Sequence, residues 1–154
     1  MKMLSGIAAL ALVLAFVPAG VPGFIGLGEQ KIKALMSEEN PGLILDNKVR
    51  NESFRYLKYS SGDENETWVI FLDKEGTCNG VRITYDNSRL DEKVKELDQK
   101  YKVKGKGIWT YRSKGDEISI GLKQYPWFFS ITYSKTKYQS QSGNDRTVKE
   151  GTED

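Results

Sequence analysis

The stretch Thr67-Trp68-Val69-Ile70-Phe71-Leu72-Asp73-Lys74-Glu75-Gly76-Thr77-Cys78-Asn79-Gly80-Val81-Arg82-Ile83-Thr84-Tyr85 decides the fold class. Its two ends are rich in β-branched and aromatic residues, and Asp73-Lys74-Glu75-Gly76 between them is hairpin chemistry. Alternation puts Trp68, Ile70 and Leu72 on one face of the first strand, and Val81, Ile83 and Tyr85 on one face of the second. Immediately downstream the period changes from two to that of a helix. Leu90, Val94, Leu97 and Tyr101 form one apolar stripe, with Ser88 placed to cap it and Asp91 three residues on as a capping-box acid. A strand pair feeding an amphipathic helix implies an α+β domain.

The same signals continue in both directions. Downstream, strands are predicted over 107–112, 117–123 and 127–135, with Ile118, Ile120 and Leu122 on one face and Phe129, Ile131 and Tyr133 on another. Upstream, 54–59 alternates partly, and 43–45 reads as a connecting or weakly extended stretch. Before it, Ile32, Leu35 and Met36 lie at helical spacing from Glu29, and Asn40-Pro41-Gly42 stops the pattern. The predicted order is α-β-β-β-α-β-β-β, a two-layer domain whose antiparallel sheet carries its helices on one face. Tyr59-Ser60-Ser61-Gly62-Asp63-Glu64 and Tyr111-Arg112-Ser113-Lys114-Gly115-Asp116-Glu117 fall at the same hairpin of each half, a trace of internal duplication. Convergence on turn-forming residues would explain the same trace.

The N-terminus supplies an address. Lys2 precedes a neutral run that extends to Gly28, with an apolar stretch over 4–17 and a Pro/Gly-rich exit. These are the three parts of a secretory signal peptide, expected over 1–19 with cleavage after Ala19, and no membrane span remains after such a cut. The alternative is retention as an anchor. The expected division is signal peptide 1–19, linker 20–28, one α+β domain 29–136, and a polar disordered tail 137–154 that has little to bury. The expected location is secreted or periplasmic. A lone Cys78 closes no intrachain disulfide, and its simplest role is a small buried strand residue.

Composition excludes more chemistry than it invites. The chain has no histidine, which removes Ser-His-Asp and Cys-His nucleophile systems, histidine general bases and histidine metal sites together. One cysteine cannot build a thiolate zinc site, and Gly23, Gly26 and Gly28 lack both the order and the preceding strand of a nucleotide loop. The acidic turn Asp63-Glu64-Asn65-Glu66 lacks the calcium-loop pattern of an EF-hand. No catalytic residue, metal or cofactor is therefore assigned. With 23 basic and 21 acidic residues the balance is +2, which points to no nucleic acid or other polyanion in bulk.

Two segments remain as binding candidates. Lys100, Lys102, Lys104 and Lys106 alternate with Tyr101, Val103 and Gly105, so extended backbone would aim the amines one way, toward phosphates or anionic glycans. Solubility of a sheet edge and pairing with a helix dipole explain such lysines equally. Tyr125-Pro126-Trp127-Phe128-Phe129 sets four aromatics around a proline at a strand start. With Trp127 and Phe129 facing the core, Phe128 would face outward, joined by Tyr125 and by Trp109 if they share that face.

The segments 51–59, 68–78 and 127–132 also carry a resemblance. They are similar to an Asn-Glu-Ser-Phe-Arg-Tyr-Leu-Lys-Tyr-like strand, a Trp-Val-Ile-Phe-Leu-Asp-like hairpin followed by cysteine, and a Trp-Phe-Phe-Ser-Ile-Thr-like strand in a family of small exported bacterial proteins. The resemblance spans about 29–135, and its motifs are packing motifs that bring no catalytic residue with them. The order of elements also resembles the duplicated helix-plus-strands repeat of β-lactamase-inhibitor-like and outer-membrane-assembly lipoprotein folds, a likeness of topology that implies no function. The functional expectation is an exported, non-catalytic binding or interaction domain of the cell envelope, with a protein or envelope glycan as partner. The alternatives are a carboxylate-based hydrolase acting on an envelope glycan, and an enzyme inhibitor.

Overall fold

A computed structural model of the chain describes residues 20–47, 55–113 and 115–136. The expectations of a signal peptide over 1–19 and a tail over 137–154 lie outside the described residues. Helix α1 (Glu29–Glu39) precedes strands β1 (Leu43–Leu45), β2 (Arg55–Ser61), β3 (Glu66–Leu72) and β4 (Cys78–Asp86). Helix α2 (Leu90–Lys100) precedes β5 (Lys102–Gly105), β6 (Ile108–Ser113), β7 (Asp116–Gln124) and β8 (Phe128–Lys135). The strands form one antiparallel sheet in the order β1-β2-β3-β4-β8-β7-β6-β5.

That order reads as two like units, each a helix followed by four strands, meeting at the central β4–β8 pair. The register makes the relationship local. Ile83 pairs with Ile131, and each opens an identical Ile-Thr-Tyr tripeptide, 83–85 in one unit and 131–133 in the other. An antiparallel pair of equivalent strands crossing at an equivalent residue has the geometry of a local two-fold axis, so the central pairing and the repeated tripeptide support one another.

Each unit has one strand more than the alternation predicts. β1 and β5 follow their helices directly and form the two outer edges of the sheet. Three apolar residues, or four residues alternating lysine with Val and Gly, are too short for a period to declare itself, and only pairing to β2 and β6 makes them strands.

The helix-covered face holds the core. Ile32 and Met36 of α1 and Leu97 of α2 join Leu57, Tyr59, Trp68, Ile70, Leu72, Ile83, Tyr85, Trp109, Ile118, Ile120, Phe129, Ile131 and Tyr133 in one buried cluster. Burying an aliphatic or aromatic side chain of this size contributes roughly 1.5–3 kcal/mol. Leu122, which alternation sets on one face with Ile118 and Ile120, is only partly buried against that core. Cys78 lies buried at the start of β4.

The segment 20–28, expected as a linker, belongs to the fold. Val21–Phe24 is a short 3-10 helix, and Phe24 sets its ring edge-on to Trp68 at 6.2 Å between centroids. The Gly26 N–H donates to the Cys78 carbonyl and the Cys78 N–H to the Leu27 carbonyl, both at 2.8 Å. Val21, Phe24, Ile25 and Leu27 all pack on the core, which is why a stretch resembling the exit of a leader is held in place.

The start of α2 also differs from its predicted capping. Asp86, at the end of β4, accepts the Ser88 N–H at 2.8 Å, and Asn87–Arg89 forms a 3-10 turn before the helix begins at Leu90. Asp86 therefore caps, and Ser88 sits inside the turn, because an acid at the end of a strand reaches the first free N–H groups sooner than Ser88 does.

The opposite face of the sheet carries no helix among the described residues. Pairing across β1, β2, β3, β4, β8 and β7 sets Ile44, Ser60, Thr67, Thr84, Ser130 and Lys123 in one row on it. A second row runs Lys58, Val69, Arg82, Thr132, Gly121 and Ile108 from β2 to β6. Arg82 stacks over the Phe71 ring at 5.8 Å and donates from Nε to Thr132 Oγ1 at 3.3 Å, so part of this polar face is internally tied.

Candidate functional site

The aromatic segment forms the turn between β7 and β8. The strand starts at Phe128, one residue later than expected, and this overturns the predicted inward placement of Trp127. Phe129 is the residue that faces the core, fully buried, whereas Trp127 stands in the turn with 83% of its surface exposed. Pro126 fixes the backbone at the turn, and the Tyr125 N–H closes it by donating to the Phe128 carbonyl at 2.8 Å.

A second lock comes from another element. Asn87 Nδ2 donates to the carbonyls of both Tyr125 and Pro126, each at 3.0 Å. Its Oδ1 is buried and, among the described residues, has no partner. Phe128, 40% exposed, stacks on Tyr125 with centroids 4.5 Å apart, and Lys123 Nζ lies 5.1 Å from the other ring, that of Tyr125. The result is a turn held by three hydrogen bonds that presents one indole to solvent beside a stacked pair of rings.

Beside this turn, at the same end of the sheet, a polar cleft of about 490 Å3 is lined by Ser61, Asp63, Asn65, Glu66, Asp86, Ser88 and Arg89. Its acids are committed to local structure. Asp63 accepts from Ser61 Oγ at 2.6 Å and Asn65 Nδ2 at 2.9 Å, and these bonds, the serine's first, hold its carboxyl below the ordinary range. The Ser88 hydrogen bonds do the same for Asp86. Glu66 accepts from Trp68 Nε1 at 2.7 Å and from Arg89 Nη1 at 2.8 Å.

Trp109 does not join the exposed surface. It is 2% exposed and pairs with Ile120 on the helix-covered face, donating from Nε1 to Asp98 Oδ1 at 2.8 Å. The parity of β6 decides this, because its neighbours Ile108 and Thr110 take the open face.

The lysines divide. Lys100 ends α2, and Lys102 and Lys104 lie on β5; together with Tyr101, Thr110, Tyr111, Arg112 and Glu117 they line a second cleft of about 490 Å3. Lys106 falls outside it, because a register shift between Val103 and Gly105 and the turn at Gly107, with φ of 69°, break the alternation that would have aligned it. Arg112 and Asn87 were not singled out by sequence. Arg112 shares a face of its predicted strand with Thr110, two residues before it, and Asn87 gave no signal, since its partners lie 38 and 39 residues away.

The two surfaces occupy opposite ends of the sheet. The aromatic turn sits by the β2–β3 turn and the β4 exit, and the lysine cleft by the β6–β7 turn. Among the described residues, no helix is long and apolar enough to cross a membrane. The chain matches no protein-family model, no curated protein and no solved structure.

Proposed function

We propose that this chain is an exported, non-catalytic binding domain of the cell envelope, and that the Tyr125–Phe128 turn with its adjoining polar cleft is the surface that meets a protein or glycan partner. The observation that carries this reading is Trp127, an indole 83% exposed on a turn held by Pro126 and by two hydrogen bonds from Asn87. A large apolar side chain exposed on flexible backbone loses much of its contact energy to ordering, and one exposed on rigid backbone does not. Tryptophan and tyrosine are the side chains that most often anchor recognition surfaces. The polar groups next to it suit the rim of such a contact or the hydroxyls of a sugar.

The leader-like first 19 residues and the resemblance to small exported bacterial proteins support the envelope as the place of action. The acids of the cleft weigh against the hydrolase alternative. A glycosidase needs one carboxyl held protonated near neutral pH, and both Asp63 and Asp86 are shifted the other way by their hydrogen bonds.

Retention of the protein on an immobilised envelope fraction tests the reading. On a fraction stripped of phospholipid and with inorganic phosphate added as competitor, Trp127→Ala/Phe128→Ala should abolish retention, and Lys102→Glu/Lys104→Glu should leave it in place. Loss with the lysine variant alone would transfer the function to the other end of the sheet.

A further inference from the structure

The cleft at the opposite end gathers cations from three elements: Lys100 at the end of α2, Lys102 and Lys104 on β5, and Arg112 on β6. One carboxylate faces them, Glu117, whose Oε1 is 3.9 Å from Lys104 Nζ, at the outer limit of an ion pair. Lys100, Lys102 and Arg112 make no ion pair among the described residues. Elsewhere the match is close: Lys33 lies 2.6 Å from Glu29, Arg89 2.8 Å from Glu66 and Lys135 2.7 Å from Asp116.

Protection of a sheet edge accounts for Lys102 and Lys104, which lie on the outermost strand. The dipole of α2 accounts for Lys100 at its C-terminus, and neither effect accounts for Arg112, whose strand is paired on both sides. Like charges around one cleft disfavour one another and focus a positive potential into it, so an entering anion replaces repulsion by attraction. The composition of the cleft narrows the anion. Arginine presents a planar fork that matches two oxygens of a phosphate, and lysines add point charges that neutralise a second negative charge. Thr110, opposite Lys102 in the register, supplies a neutral hydroxyl on the same wall.

We propose that this cleft is a binding site for a phosphate ester group. The proposal stands on this cleft alone and is independent of the role assigned to the aromatic turn. Phosphate of this kind comes from a soluble phosphoryl compound or from a lipid headgroup, and two probes separate the sources: inorganic triphosphate followed by calorimetry, and phosphatidic acid vesicles followed by co-sedimentation, with phosphatidylcholine vesicles as the blank. Lys106→Gln is the control, since Lys106 carries the same charge in the same segment but lies outside the cleft.

Binding to either probe is expected to weaken about tenfold or more in Lys102→Gln/Arg112→Gln, and to change less than about twofold in Lys106→Gln. Binding to triphosphate assigns the source to soluble phosphate, and binding to the charged vesicles alone assigns it to a lipid headgroup. Absence of binding to both probes, or an equal loss in the control, overturns the proposal. Unchanged thermal unfolding of the variants, all at exposed positions, separates lost binding from lost structure.

Discussion

Asn87 holds Tyr125 across 38 residues of sequence: its Nδ2 donates to the Tyr125 carbonyl at 3.0 Å and, from the same nitrogen, to Pro126 at 3.0 Å. The strand-to-helix turn of one unit thereby fixes the β7–β8 turn of the other, and this link sets the stance of Trp127.

Replacing Asn87 by Ala is expected to cost about 1–3 kcal/mol, the range for two lost hydrogen bonds and two carbonyls left short of a donor. Asn87→Asp should cost more, because its carboxylate would face the same two carbonyl oxygens. Denaturant unfolding reads the cost, and faster amide exchange at Tyr125 would show that it falls on the turn.

Trp109 and Trp127 should separate cleanly. Trp127→Ala is expected to leave stability within about 0.5 kcal/mol, as for other exposed positions. Trp109→Phe should lower it by about 1–3 kcal/mol through the lost bond to Asp98 and the space left in the core. Equal stabilities for the two variants would contradict the assignment of one indole to the surface and the other to the core.

Phe24→Ala tests whether 20–28 is part of the domain. A linker residue would tolerate it, whereas the buried ring against Trp68 predicts a loss of about 3–5 kcal/mol in equilibrium unfolding.

Burial pushes the Cys78 thiol from 9.0 up to about 11 and Tyr101 from 10.0 up to about 12. At pH 8 about one Cys78 thiol in a thousand is ionised in the folded protein, so a thiol reagent should react only on unfolding. Both shifts are upward. The stability they carry is therefore intact below pH 9 and is lost as pH rises through the window from 9 to 12. A pH series of melting temperatures should be flat on the alkaline side until that window and then fall. A fall beginning at pH 7 would contradict it.

Much of this fold is legible because its core positions alternate without interruption. Trp68, Ile70 and Leu72, or Phe129, Ile131 and Tyr133, declare a strand and its face before any pairing is known. The repeated Ile-Thr-Tyr of 83–85 and 131–133 marks the central pair more sharply than the turn residues do. What stays hidden depends on partners distant in sequence. β1 and β5 are strands only because β2 and β6 lie beside them, and 20–28 is ordered only because Cys78 and Trp68 meet it. Trp127 shows the same limit within one segment: a shift of one residue in where β8 begins moves it from the core to solvent.

Trp127 also reports on its own role, since Trp68 and Trp109 are buried and it alone of the three tryptophans is exposed. Its emission should be red-shifted and open to acrylamide, and Trp127→Phe should remove that component. Acrylamide quenching of the protein, measured with and without the envelope fraction that retains it, tests the proposed binding surface most directly. Quenching of the Trp127 component is expected to fall severalfold on binding, and a component that stays fully quenchable while the protein is retained would rule this surface out.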